Sequence, residues 1–232
     1  MTTFPDELKR AAAEAAARLV EAGMIVGLGT GTTAAWFVRA LAHRMETEKL
    51  DVRGVPTSAA TQSLAEVLGI PLLELNQVEI DLTVDGADEI GPGLQLIKGA
   101  GAALLREKLV WESSRRCVVI ADAGKQTPRL GRHPLPIEVV AFGHESTARR
   151  ICDALLACDI GAAPRLRIRD SEVVVTDSGN LIYDVVCGEI PEPSMLADAI
   201  KSVTGVVEHG LFLDLADEAL IAGEGGVERL SP

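Results

Sequence analysis

The chain has 232 residues, 47% of them hydrophobic, which is ample for a full core and too apolar for a disordered chain. Its length suits one large α/β unit or a large-plus-small pair of domains. The formal net charge of -12 argues against general nucleic-acid binding, which needs a basic footprint. It also obliges any anionic ligand to be held by local lysines and backbone N–H groups.

In chain order, Pro5 followed by Asp6 and Glu7 predicts a helix start, with acids in the first turn. The alanine-rich stretch Leu8 to Glu21 continues it, and Gly23 ends it. MIVGLG (24–29) is a buried-strand run, and TTAAWFVRALAHRM (32–45) has helical periodicity. VRGVPT (52–57) predicts a strand, SAATQSLAEVLG (58–69) a helix, and PLLEL (71–75) and DLTVDG (81–86) two short strands. AALLREKLVWESS (102–114) predicts a helix and RCVVIAD (116–122) a strand. Alternating strands and helices imply a parallel sheet covered on both faces.

The rhythm changes after the turn HPLP (133–136). The strand IEVVAF, the helix ESTARRICDALLACD (145–159), the strand pieces PRLRIRD and EVVVTD, the strand LIYDVVC, the helix PSMLADAIKSV (193–203) and the strand GVVEHG follow in order. This order resembles a split βαβ, ferredoxin-like unit. The expected division is a parallel-sheet domain over 1–132, completed by about 211–232, and a small α+β domain over 133–210.

Cys117, Cys152, Cys158 and Cys187 form no C-x-x-C pair, and no histidine stands near them at zinc-ligand spacing. They fit free thiols of a reducing, cytoplasmic setting. The N-terminal stretch carries Asp6, Glu7 and Glu14 and has no signal-peptide pattern. No apolar run approaches the ~18 residues of a membrane span, so no membrane association is expected.

GLGTGTTA (27–34) joins a strand to a helix. Glycines let backbone N–H groups face a ligand, and a helix N-terminus favours an anion. Thr30, Thr32 and Thr33 add hydroxyls around Gly31. A Walker A loop would need a lysine after Gly31, and a dinucleotide fingerprint a glycine where Thr32 stands. Both are missing, so a small phosphorylated metabolite fits better; the alternative is a plain tight turn.

TVDGADEI (83–90) places Asp85 and Asp88 at the C-terminal end of a strand, the edge that faces the ligand in open α/β sheets. Two carboxylates there can hydrogen-bond sugar hydroxyls or move protons. Asp85, Asp88 and Glu89 are also hard oxygen ligands suited to magnesium, and a turn with an Asp cap is the third alternative.

In KGAGAALLREK (98–108) a lysine opens a glycine turn and a helix follows. At roughly 100° per residue, Val110, Ala103, Glu107, Trp111 and Leu104 fall in one arc, with Arg106, Lys108 and Glu112 outside it. Glu107 is then a carboxylate inside an apolar stripe, where desolvation favours the neutral form. That is the condition for a general base near neutral pH; a buried glutamate paired with a lysine is the alternative. IADAGK (120–125) brings Lys125 to the ligand edge. Arg165, Arg167 and Arg169 alternate with Leu166 and Ile168, which predicts the solvated face of a strand. The four histidines are scattered and suggest neither a triad nor a metal cluster.

GLGTGTTA, VPTS, TVDGADEI, KGAGAALLREK, IADAGKQ, PLPIEV, VTDSGNLIYDV and GVVEHGLF occur in this order. Together they resemble the ribose-5-phosphate isomerase type A family over essentially the whole chain. The resemblance implies a Rossmann-like parallel-sheet domain plus a smaller α+β domain. It implies an aldose–ketose isomerase of the pentose phosphate pathway with a sugar phosphate as substrate, no metal, no organic cofactor, and a homodimer or homotetramer. By the family pattern Glu107 matches the base that moves a proton between C1 and C2, and Lys98 the cation near the developing enediolate oxygen. Asp85 and Asp88 match acids that contact sugar hydroxyls and assist ring opening. Thr30, Gly31, Thr32 and Thr33, the turn Asp85, Gly86, Ala87 and Asp88, the turn Lys98, Gly99, Ala100 and Gly101, and Lys125 match the substrate-binding positions. The family usually has KGGG where this chain has Lys98-Gly99-Ala100-Gly101, so Ala100 must take a backbone angle open to alanine.

Two other classes fit parts of the pattern. A sugar-phosphate-sensing regulator would share the loop, but would normally bring a helix-turn-helix and would not need Glu107. A CoA-transferase-like enzyme could use a glutamate nucleophile, but the short chain and the DGADE turn argue against it.

Overall fold

The computed structural model describes the backbone of residues 4–232, and the side chains of all of these except Phe4, Pro5 and Gln77. The first half runs α1 (Phe4–Ala17), β1 (Ile25–Leu28), α2 (Thr32–Glu48), β2 (Arg53–Pro56), α3 (Ala59–Val67), β3 (Leu82–Gly86), β4 (Glu89–Ile90), β5 (Leu96–Ile97), α4 (Leu104–Glu112) and β6 (Cys117–Asp122). Then come β7 (Leu135–Val139), α5 (His144–Ala157), β8 (Arg165–Leu166), β9 (Ile168–Arg169), β10 (Glu172–Val173), β11 (Leu181–Val185) and α6 (Pro193–Lys201). The chain closes with β12 (Val206–His209), β13 (Leu211–Phe212), β14 (Glu218–Gly223) and β15 (Gly226–Leu230).

These elements form two compact units: residues up to Ala87 with Arg106–Lys125 and Asp214–Pro232, and Asp88–Leu105 with Gln126–Leu213. The first holds a six-stranded sheet in the order β15-β14-β6-β3-β1-β2. All neighbours in it are parallel except the edge hairpin β14–β15. Numbered within the unit, the parallel strands lie 2-1-3-4-5, an open doubly wound α/β order whose direction reverses between β1 and β3. The carboxyl edge at that reversal is where such sheets bind ligands.

Strand alternation assigns the two faces. Val26, Leu28, Leu82, Val84, Val118 and Ile120 share a core with Ala12, Ala13 and Ala16 of α1 and Phe37 and Leu41 of α2. The small alanine face of α1 lets that helix lie close to its neighbours. Gly27, Thr83 and Asp85 alternate onto the other face, where Val110 of α4 packs with Val55 and Ile80. Gly27 has no alternative there: a Cβ would sit 1.8 Å from Thr83 Oγ1 and 2.9 Å from Val110 Cγ1.

The second unit is built on a four-stranded antiparallel sheet, β12-β7-β11-β8. Counting its strands in chain order gives 4-1-3-2 with α5 and α6 as the crossovers, the arrangement of a ferredoxin-like βαββαβ unit. Ile137, Val139, Ile151, Leu155, Leu196 and Ile200 fill its core. A small antiparallel sheet, β13-β5-β4, belongs to the same unit.

Several expectations move. The sequence reading put residues 88–105 and 126–132 in the first domain; their contacts group them with the second unit. The physical reason is the pairing of β5 with both β4 and β13, three short strands invisible to periodicity. The stretch 211–223 is split: β13 joins this sheet, and β14 continues the parallel sheet of the first unit. PLLEL is not a strand. Only Leu72 bridges, to Gly54, before the chain turns into a 3₁₀ helix at Leu75–Gln77. The first helix ends at Ala17, short of Gly23.

Candidate active site

In the first unit, the loop after β1 lies at the carboxyl edge. Gly31 caps α2 with φ 107°, a left-handed angle that glycine tolerates, and no side chain caps that helix. Thr32 is exposed and Thr33 half-buried at the helix start. Thr30 behaves differently from the expectation. Its Oγ1 lies 2.7 Å from Thr57 Oγ1, 2.8 Å from Ser58 Oγ and 3.2 Å from Thr61 Oγ1. The Thr30 hydroxyl has one proton to donate, and it goes to Ser58 Oγ. Thr57 and Thr61 are tied back to the loop's own backbone, donating to Leu28 O and Gly29 O at 2.9 Å each. The Thr30 hydroxyl thus fixes the loop rather than facing outward.

Asp85 ends β3 beside it and is fully buried. Its Oδ1 accepts from Thr30 N at 3.0 Å and from Gly86 N at 2.7 Å. Its Oδ2 accepts from the Trp111 indole at 3.3 Å. Gly29 lies so close that a Cβ would stand 2.2 Å from Asp85 Oδ1. Gly86 and Ala87 follow, half-buried. Lys125, half-buried, closes a short 3₁₀ turn after β6, the strand next to β3.

Glu107 lies in the first turn of α4, four residues before Trp111, and its residue is 4% exposed. The arc read from the sequence is buried throughout: Ala103, Leu104, Val110 and Trp111 are all 6% exposed or less. Lys108 corrects the reading, because it is buried too, while Leu109 is 47% exposed. The buried arc extends past Leu104 by the ~40° that separates positions four apart on a helix.

In the second unit, Lys98 follows β5 and is 2% exposed. Its backbone N–H donates to Gly210 O at 2.9 Å, and its ammonium lies 5.5 Å from the centre of the Phe212 ring. Gly99 takes φ 112°, and its carbonyl accepts from Ala102 N at 3.1 Å, closing a turn over Ala100 and Gly101. Ala100 is not among the left-handed residues, so alanine costs the turn nothing; the left-handed non-glycine is Ala102, at φ 63°. The Ala100 N–H donates to Asp88 Oδ2 at 2.9 Å, and the Asp88 N–H to Ile97 O at 2.8 Å. Glu89, fully buried, accepts from Gly131 N at 2.8 Å and from His133 N. Its carboxylate is a structural anchor for that loop. Among the described residues, no three His, Cys, Asp or Glu side chains gather as metal ligands.

The family model of ribose 5-phosphate isomerase A (phosphoriboisomerase A) matches residues 53–226. The chain belongs to the ribose 5-phosphate isomerase A family. It is 65% identical to the ribose-5-phosphate isomerase A of Caulobacter sp. (strain K31) over 98% of this chain and 99% of that one. Its fold matches the ribose 5-phosphate isomerase from Plasmodium falciparum with a TM-score of 0.94 at 38% identity, covering 98% of this chain and 99% of that one. It also matches a D-ribose-5-phosphate isomerase solved in complex with phospho-erythronic acid, with a TM-score of 0.91 at 35% identity, covering 99% and 100% of the two chains.

Sequence reasoning missed two parts of this family member's framework. The hydroxyl cluster of Thr57, Ser58 and Thr61 gives no periodic signal, although VPTS is one of the motifs in the resemblance. The second is Arg167. It was expected on a solvated strand face, yet its side chain is 10% exposed and donates to Gly99 O at 2.8 Å and Ala100 O at 3.3 Å. The reason is a break in the strand: β8 pairs with β11 and β9 with β10, and Arg167 stands between the two pairings. The alternation rule therefore fails at this residue. Among the described residues no helix is long and apolar enough to cross a membrane. The four cysteines are free thiols, Cys117 and Cys158 buried and Cys152 and Cys187 half-buried.

Proposed function

We propose that this chain interconverts D-ribose 5-phosphate and D-ribulose 5-phosphate through an enediolate, with Glu107 as the general base. The observation that carries this reading is the burial of Glu107 on an apolar helical arc, four residues from the Trp111 that binds Asp85. A carboxylate held on that buried arc can take a carbon-bound proton and return it, with exchange against solvent while the enediolate lasts. Family membership supplies the substrate, and a structural relative that holds phospho-erythronic acid supports a phosphorylated sugar skeleton.

In this reading the uncapped start of α2, with Gly31, Thr32 and Thr33, receives the phosphate, helped by Lys125. Asp88 meets the sugar hydroxyls and assists ring opening. Asp85 contributes from behind, because its oxygens already accept three N–H groups. Glu107 removes the C2 proton of the open aldose and delivers it to C1. The C–H electron pair forms the C1–C2 double bond as the C1=O pair moves onto O1, where the negative charge is met by Lys98 and the N–H groups of the Gly99–Gly101 turn. The O2 proton then passes to O1 as C2=O forms, and C1 takes the proton back from Glu107. The isomerisation is redox-neutral, so it needs no redox cofactor, and in this reading Lys98 and the turn N–H groups supply the charge stabilisation that a metal would otherwise give. The same reading places the enzyme in the non-oxidative pentose phosphate pathway of the cytoplasm, as a homodimer or homotetramer.

The test is to add ribose 5-phosphate in heavy water and follow ketose formation together with deuterium at C1. Ketose carrying solvent deuterium is expected. No ketose, or activity lost to a chelator and restored by magnesium, would overturn the reading.

A further inference from the structure

We propose that Arg167 is a positioning residue for the reaction. Held by Asp184, it fixes the two peptide planes of the Gly99–Ala100–Gly101 turn so that their N–H groups point to the side of Asp88. The inference rests on the proposed isomerase reading, to which it adds a residue outside the family motifs named above.

The geometry is contained in one unit. Arg167 Nε donates to Asp184 Oδ2 at 2.8 Å, and Nη2 donates to Asp184 Oδ1, which makes the pair bidentate. The guanidinium is thereby fixed in the plane of the carboxylate. Its remaining terminal nitrogen, Nη1, reaches Gly99 O and Ala100 O together. Asp184 is itself anchored in β11 opposite Arg165 of β8, and the Arg167 N–H donates to Ile182 O at 2.8 Å. The clamp is therefore built on the antiparallel sheet, not on a loose surface side chain.

In a trans peptide the C=O and N–H point in opposite directions. Pinning Gly99 O therefore aims the Ala100 N–H away from Arg167, and that N–H reaches Asp88 Oδ2 at 2.9 Å. Pinning Ala100 O aims the Gly101 N–H the same way. A cation on the two carbonyls also polarises both peptides and strengthens their N–H groups as donors. Lysine cannot reproduce this, since a single ammonium cannot form the fork and reach both carbonyls in one plane. Burial adds to the case: a guanidinium only 10% exposed is there for its contacts, not for solubility.

The experiment compares wild type with Arg167→Lys and Arg167→Met on ribose 5-phosphate, with thermal midpoints and the exchange rate of the Ala100 amide as companions. Both variants are expected to lose about 30- to 100-fold in kcat with KM changed less than about threefold, in line with the cost of a misplaced catalytic framework. The Ala100 amide is expected to exchange at least about tenfold faster, since its acceptor geometry is lost. Guanidinium added to the methionine variant is expected to recover part of kcat. If Arg167→Met does not fold, Arg167→Lys carries the comparison. A folded variant with wild-type kcat and an unchanged Ala100 amide would overturn the inference. Wild type that makes no ketose would instead overturn the isomerase reading beneath it.

Discussion

Trp111 and Asp85 are joined across the α4-covered face of the parallel sheet, the indole Nε1 standing 3.3 Å from the carboxylate Oδ2. The bond links the helix that carries Glu107 to the strand end that holds the β1–α2 loop. Asp85 is thus a junction: one oxygen faces Thr30 N and Gly86 N, the other faces α4. Trp111→Phe keeps most of the ring volume and removes the donor. It is expected to cost about 1–3 kcal/mol in stability, the usual penalty for a buried acceptor losing its partner. It is also expected to lower kcat/KM by about tenfold as Glu107 loses its register. Urea unfolding and steady-state kinetics on the same preparation check both.

Gly29 leaves no room at this junction. A Cβ there would stand 2.2 Å from Asp85 Oδ1 and 2.6 Å from Asp85 Cα, a backbone atom that cannot step aside cheaply. Gly29→Ala is expected to destabilise by about 1–3 kcal/mol through overpacking. It should also weaken binding of a phosphorylated inhibitor, because the β1–α2 loop proposed to receive the phosphate is tied to Asp85. Calorimetric titration of the variant checks the second part.

The Lys98 turn yields a paired prediction. Ala100 keeps a right-handed or extended angle, whereas Ala102 holds φ 63°. Ala100→Gly is expected to leave kcat/KM within about threefold and to lower stability by about 0.4–1 kcal/mol through unfolded-state entropy. Ala102→Gly is expected to gain about 1 kcal/mol, because glycine relieves the left-handed strain of an L-residue. Thermal unfolding of the two variants should therefore move in opposite directions.

Burial pushes the Cys187 thiol up to about 12 from its ordinary 9.0. The folded state then holds a proton that the unfolded chain releases first. The contribution to stability is full below about pH 9 and is lost as the pH rises toward 12. Cys187→Ser should flatten the alkaline limb of the stability profile and leave the neutral region in place. At pH 8 the thiol should alkylate far more slowly than an ordinary exposed cysteine, as peptide mapping after iodoacetamide would report.

Much of the candidate site's framework was legible because its residues stand in short motifs at strand ends. GLGTGTTA, TVDGADEI and KGAGAALLREK each mark a turn through glycine, and a helical wheel was enough to put Glu107 on the buried side of α4. What the sequence hid has a common physical cause. Arg167, Lys108 and the strands β4, β5 and β13 take their positions from partners far away in sequence, which no local period encodes. The contacts divide the chain at other residues for the same reason. Residues 88–105 look like a continuation of the first α/β unit, but Leu96 and Ile97 pair with Phe212 and Leu211, Ile97 packs in the second unit's core and Gly99 O accepts from Arg167. Asp85 was legible as a carboxylate at a ligand edge, but not as one that already accepts from three N–H donors.

The central claim is that Glu107 moves the proton, and the turnover of Glu107→Gln tests it most directly. Glutamine keeps the shape of the side chain and removes its basicity. The account predicts a fall in kcat of about 10²–10⁴-fold, with the protein folded and a phosphorylated substrate analogue still bound. Turnover near that of wild type, with solvent deuterium still entering the ketose, would contradict it.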